Sequence, residues 1–116
     1  MKVLVLLTGD PEAWDAATEQ EREAEMAAHD AFSAAASARG SIEAGEALAL
    51  APEARTLRTV AGQRVVTEGP YAETVEQLGG FYLLDVDSLD TAVELGRLLP
   101  SAYTIELRPV VEIGLE

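Results

Sequence analysis

The chain has 116 residues, with 8 Lys plus Arg against 21 Asp plus Glu and a formal net charge of −13. Phosphate backbones are bound by Lys and Arg that release counterions, and anionic lipid attracts the same residues. Direct nucleic-acid binding and membrane docking are therefore not expected of so acidic a surface. The length predicts a single domain over residues 1–116, at about 150 residues per domain. An apolar content of 48% is enough for one core. There is no cysteine, which removes disulfides, thiolate nucleophiles and thiolate metal ligands and agrees with a cytoplasmic location. The single histidine, His29, excludes a multi-histidine metal site. Neither a metal nor a cofactor is expected.

In chain order, residues 3–7 read as a strand, apolar on both faces and closed by Gly9-Asp10-Pro11. The same run is too short for a signal-peptide core, and no stretch approaches the roughly 20 apolar residues that span a bilayer. Thr18-Glu19-Gln20-Glu21 has the spacing of a capping box. The helix it opens should end near Arg39, with Gly40 just beyond. A strand follows over residues 42–48, then a loop over 49–53. Residues 57–60 and 63–67, joined by Ala61-Gly62, read as a two-residue β-hairpin. After Gly79-Gly80 comes a strand over residues 81–86. Ser88 or Asp87 caps a second helix with an apolar stripe of Leu89, Ala92, Val93, Gly96 and Leu99, stopped by Pro100. Tyr103, Ile105 and Leu107 alternate with polar residues in a last strand, which Pro109 places at an edge or bulge.

The order strand, helix, strand, hairpin, strand, helix, strand is an α+β pattern close to the ferredoxin-like split βαβ arrangement. Right-handed crossovers put both helices on one face of the sheet. Two of its strands are apolar on both faces, so the second face needs a cover. A second copy of the same sheet supplies one, and a homodimer is the expected state.

Two places carry candidate chemistry. His29 falls between Met26 and Phe32 on the helical wheel, beside Ser33 and Ala36. A histidine there is either a buried ring satisfied by a carbonyl or carboxylate, or a general acid or base tuned by its surroundings. Glu68-Gly69-Pro70-Tyr71 sits where a strand ends, and such ends mount sites on a rigid frame; its plain alternative is a turn with a solvated acidic face. Trp14 and Asp10 follow the first strand, where a ligand mouth can form. No nucleophile elbow, Walker loop or dinucleotide fingerprint is present.

The run Thr67-Glu68-Gly69-Pro70-Tyr71-Ala72-Glu73-Thr74-Val75-Glu76-Gln77-Leu78-Gly79-Gly80-Phe81-Tyr82 resembles the YCII-related family, in the branch named for the motif Asp-Gly-Pro-Phe-Ala-Glu-Thr-Lys-Glu. The likeness extends to the opening Lys-Val-Leu-Val-Leu-Leu, Trp14, Met26-Ala27-Ala28-His29-Asp30-Ala31-Phe32, Gly45-Glu46-Ala47-Leu48 and Glu106-Leu107-Arg108-Pro109-Val110. The resemblance implies a dimeric α+β barrel with two sheets packed face to face. It also implies a His–Asp active-site pair, which falls on His29 and Glu68, and similarity to small enzymes of aromatic catabolism. Many members of the branch are encoded beside extracytoplasmic-function sigma factors, which implies a sigma factor as a regulatory partner. The motif's Asp, Phe and Lys are here Glu68, Tyr71 and Val75. The first change lengthens the carboxylate arm, and the last removes a cation.

The expected function is that of a small-ligand-binding or regulatory module, with Trp14, Phe32, Tyr71 and Glu73 contacting the ligand. The alternative is an enzyme in which a His29/Glu68 acid–base dyad acts on a small apolar or aromatic substrate by isomerisation, elimination or hydrolysis.

Overall fold

The computed structural model describes residues 1–72 and 74–113. Strand β1 (Lys2–Gly9) leads through a short helix α1 (Ala13–Ala16) into the long helix α2 (Glu19–Arg39) and strand β2 (Gly40–Ala47). After a single 3-10 turn at Ala51–Glu53 come β3 (Arg55–Val60), β4 (Gln63–Glu68) and β5 (Gln77–Val86). Helix α3 (Leu89–Gly96) and β6 (Thr104–Pro109) complete the order. A four-stranded sheet runs β2-β5-β1-β6 with every neighbouring pair antiparallel, and β3 pairs only with β4 in a separate ribbon. The fold is α+β with an antiparallel sheet, consistent with a ferredoxin-like arrangement.

The expected strands and both main helices are present. The capping box forms in full: the Glu21 amide donates to Thr18 Oγ1 at 3.1 Å and the Thr18 amide donates to Glu21 Oε1 at 3.0 Å. Gly40 does end α2, but with an extended φ of 171° rather than a left-handed one. Several element ends differ from expectation, and one short helix is additional. Strand β5 begins at Gln77 and contains Gly79-Gly80, where Gly80 pairs with Leu7 of β1 and Ala47 of β2 and Gly79 occupies the register shift between Leu7 and Thr8. Helix α3 stops at Gly96, three residues before Leu99, which is buried in the turn that follows. The one-turn α1 has no apolar period for a sequence pattern to show.

Alternation along β1 buries Val3, Val5 and Leu7 under the helices, where Leu84 and Val86 of β5 meet Phe32, Ala36, Ala92 and Leu95. The intervening Leu4, Leu6, Phe81 and Leu83 point to the opposite face, where they remain partly exposed. The core is thus one-sided, and among the described residues no helix lies over the second face.

The hairpin stands apart from this body. Apart from half-buried Thr56, every residue of β3 and β4 is exposed. The radius of gyration is 16.4 Å, against about 13 Å for a compact domain of this length. Its base is closed by the Gly69 amide on the Ala54 carbonyl and by the Thr56 hydroxyl on the Gly69 carbonyl, both at 2.8 Å. Its tip is a primed turn with positive φ at Ala61 (52°) and Gly62 (79°). Ala61 carries a Cβ into a conformation that costs an L-residue about 1 kcal/mol.

Two outcomes are expected. Ala61→Asn, which tolerates the left-handed region, should slow amide hydrogen exchange at Val60 and Gln63 by up to about five-fold, the factor that 1 kcal/mol represents. The Thr18 amide and hydroxyl both hold the Glu21 carboxyl below its usual 4.5. Because the folded value is the lower one, this contribution is present above pH 4.5 and is lost as pH falls through the folded value. Acid titration of Glu21→Gln, a neutral isostere, against the parent chain, followed by helical circular dichroism, should show the two stabilities drawing together below pH 4.5.

Candidate functional site

On the helix side of the sheet, α2 and the ends of β2 and β5 enclose a cleft of about 400 Å³ that contains His29. Its walls include Leu7, Met26, Ser33, Tyr82 and Tyr103, and its floor is thinned by Gly45, Gly79 and Gly80. His29 is half-buried, and its Nδ1 lies 2.7 Å from the Tyr82 hydroxyl. The Tyr103 ring meets the imidazole edge-on, with centroids 6.3 Å apart at 70°. Phe32 backs Tyr82 from the core at 4.7 Å.

Both tyrosines hold their protons more tightly than usual. Burial raises the Tyr82 phenol above the ordinary 10.0, and the nearby Asp30 charge adds to it. Burial likewise raises Tyr103, with the Glu25 carboxylate reinforcing the effect. A protonated phenol can either donate its O–H to Nδ1 or accept from an Nδ1–H, so the tautomer of the ring sets the direction of this bond. The cleft therefore presents an imidazole held by one phenol and flanked by a second, with Leu7 and Met26 as apolar walls and Asp30 and Ser33 among its polar lining.

Glycines make this geometry possible. A Cβ at Gly45 would lie 2.7 Å from Tyr82 Cδ1, and one at Gly9 would lie 2.9 Å from Tyr103 Cδ1. Each tyrosine ring thus rests on a neighbouring strand where any side chain would displace it. Beyond Tyr103 lies a second cavity of about 340 Å³, which shares Ala47, Gly79 and Tyr103 with the first.

The residues expected from sequence are dispersed. Trp14 lines the second cavity, and the Arg22 guanidinium stacks 5.2 Å from its ring. Asp10 lines the same cavity. Phe32 is fully buried behind Tyr82 and does not line the cleft. Tyr71 is 80% exposed, beyond the base of the hairpin. Glu73 lies outside the described residues. Glu68 ends β4 with its side chain 85% exposed and its carboxylate 3.9 Å from Arg55. Within one chain His29 therefore bonds Tyr82, and Glu68 does not line its cleft. Tyr82 and Tyr103 are the residues that sequence reasoning missed. They lie 53 and 74 positions from His29, and only the strand register could have brought them to it. Among the described residues, no group of three or more His, Asp or Glu side chains is placed to hold a metal ion.

Fold and cleft define a small α+β domain with an imidazole–phenol site between helix and sheet. The chain belongs to the YCII-related family, whose domain model matches residues 1–114. It is also similar to an uncharacterised protein of Rhizobium meliloti (strain 1021), with 51% identity over 61 residues that cover 49% of each chain. That match spans about half the length of the relative. Among the described residues, no helix is long and apolar enough to cross a membrane.

Gly45→Ala should push the Tyr82 ring away and loosen its bond to His29, as Tyr82→Phe abolishes it. Imidazole ¹⁵N shifts should report one dominant tautomer in the parent chain and a mixture in both variants. Above pH 10.0 the raised phenols act in the opposite sense to Glu21. Their neutral forms are equally available to folded and unfolded chains below 10.0, and stability falls as pH rises through the higher folded values. Denaturant melts at increasing alkaline pH should show this fall, reduced in Tyr82→Phe.

Proposed function

We propose that this chain is a small-ligand-binding module whose cleft takes a compact, largely apolar molecule bearing one polar group. The polar group meets the Nε2 side of His29, while the ring or hydrocarbon part lies between Leu7, Met26 and the two tyrosines. The observation that carries this reading is the 2.7 Å contact between His29 Nδ1 and the Tyr82 hydroxyl at the wall of a cleft of about 400 Å³. A site of this kind, apolar with few convergent polar groups, is the usual form of a small-molecule pocket. The second cavity past Tyr103 gives room for a longer ligand, with Trp14 at its far side.

A catalytic variant of the reading keeps His29 and takes Tyr82, rather than Glu68, as its partner. In the tautomer whose Nδ1–H donates to the Tyr82 oxygen, Nε2 carries the free lone pair and would accept a proton from the ligand. The same contact supports it, and turnover separates it from binding alone.

The test is a ligand-observed NMR screen of the full chain with small phenols, aromatic carboxylates and cyclic ketones. Binders should perturb His29 and Tyr103, and His29→Ala and Tyr82→Phe should each weaken them by about ten-fold, the equivalent of one hydrogen bond of about 1.4 kcal/mol. Tyr71→Ala should leave them unchanged. Undiminished binding in both cleft variants would remove the site assignment, and consumption of a probe by the parent chain but not by His29→Ala would establish the catalytic variant.

A further inference from the structure

The short helix α1 serves no core. None of its four residues is buried, and Trp14 is 42% exposed. It is nevertheless tied to α2. Arg22 Nε donates to the Trp14 carbonyl at 2.9 Å, and Arg22 Nη2 donates to the Asp15 carbonyl at 3.2 Å. The same guanidinium stacks on the indole, 5.2 Å from the ring centroid. An indole pinned in this way beside a cavity of about 340 Å³ is a fixed wall of that cavity.

The cavity shares part of its lining with the His29 cleft. Ala47, Gly79 and Tyr103 belong to both, and only the third has a side chain longer than a methyl group. The partition is thus one phenol ring facing two small residues. Tyr103 is seated over Gly9, where a Cβ would approach its Cδ1 to 2.9 Å and its Cε1 to 3.2 Å. The Tyr103 amide donates to the Pro100 carbonyl at 3.1 Å, which fixes the turn before β6. A Cβ at Gly79, by contrast, would meet nothing beyond its chain neighbours nearer than the Leu7 carbonyl oxygen at 3.9 Å. The partition is closed at the ring and open at the glycine.

The two halves differ in chemistry. The first offers the imidazole and the Tyr82 hydroxyl. The second joins apolar walls of Trp14, Leu50 and Leu78 to Asp10, Asp15 and Glu25, and no Lys or Arg lines it. Glu25 also acts on Tyr103, reinforcing the effect of burial in keeping that phenol neutral. A group entering this half meets hydrocarbon and negative charge, which favours an uncharged chain and opposes an anion.

We propose that the two cavities form one elongated site, for a ligand with an aromatic head at His29 and an unbranched, uncharged tail that passes Tyr103 over Gly79 to end against Trp14. This rests on the ligand-binding reading of the cleft and adds the ligand's shape to it. Tyr103 and Gly79 are the specificity-determining pair. The ring narrows the neck of the site, and the glycine leaves a passage that a methylene chain can follow and a branched group cannot.

Titration of the full chain with para-alkylphenols of rising length, from methyl to hexyl, tests this by NMR. Affinity should rise by up to about four-fold for each methylene that enters the second half, the factor for burying one such group. The indole N–H of Trp14, the only tryptophan, should shift with the hexyl member and stay silent to the methyl one. Leu50→Asp with Leu78→Asp should abolish the gain with length. Both side chains are about half exposed, so the fold and the binding of the methyl member should persist. Gly79→Val should weaken the hexyl member more than the methyl one, and a carboxylate at the tail end should cancel the gain. Affinity that does not rise with length while the head still binds at His29 would overturn the elongated site alone. So would a Trp14 signal indifferent to the hexyl member, or a gain that survives the double variant. Failure of every phenol to bind, or binding that leaves His29 unperturbed, would remove the cleft reading with it.

Discussion

The antiparallel pairing of β1 with β5 is the constraint from which the rest of the molecule follows. These two strands occupy the centre of the sheet, so each is bonded on both edges, and their alternation decides what each face presents. On one face Val3, Val5, Leu7, Leu84 and Val86 give α2 and α3 a surface to bury. On the other, Leu4, Leu6, Phe81 and Leu83 form an apolar strip. A slip of one residue would exchange the two faces, placing Phe81 under the helices and Tyr82 on the outside. Core and site thus depend on the same register.

The site depends on it in a second way. Tyr82 stands between Val5 on one side and Gly45 on the other. Phe32 supports its ring from below, and the absence of a side chain at Gly45 leaves space for it above. The hydroxyl is carried to the His29 turn of α2 by parts whose positions are already fixed by core packing. The pair is pre-organised by that packing, with little conformational freedom left to either ring. The acidic residues near the phenols act in the same direction, since Asp30 and Glu25 discourage ionisation and keep both hydroxyls as donors.

Local chemistry was the legible part of the sequence. Thr18 and Glu21 announced the start of α2, Ala61-Gly62 the hairpin turn, Ser88 the cap of α3, and the doubly apolar strands a sheet face in need of cover. His29 was recognisable as the unusual residue on its helix, because one imidazole among apolar neighbours breaks the pattern. Its partner was not. The resemblance pointed to Glu68, whereas the residue within hydrogen-bond distance of the imidazole in one chain is Tyr82, whose place in an alternating strand looks like ordinary packing. Register is a property of two segments together, and nothing within residues 77–86 states which of them faces residue 29. Likewise Phe32 shares the helical face of His29, yet lies one turn deeper, where α2 closes onto the sheet and leaves no opening.

The strong acidity takes on a different meaning once its distribution is considered. A net charge of −13 keeps copies of the chain apart at long range, although at physiological salt that repulsion fades beyond about 8 Å. Within that distance the uneven distribution governs, and three of the eight cations stand on one ribbon that projects from an acidic body. Ion pairs on a protein surface contribute little singly. Their effect lies in the distribution: Arg55, Arg58 and Arg64 give the ribbon a local field opposite in sign to that of the acidic body from which it projects.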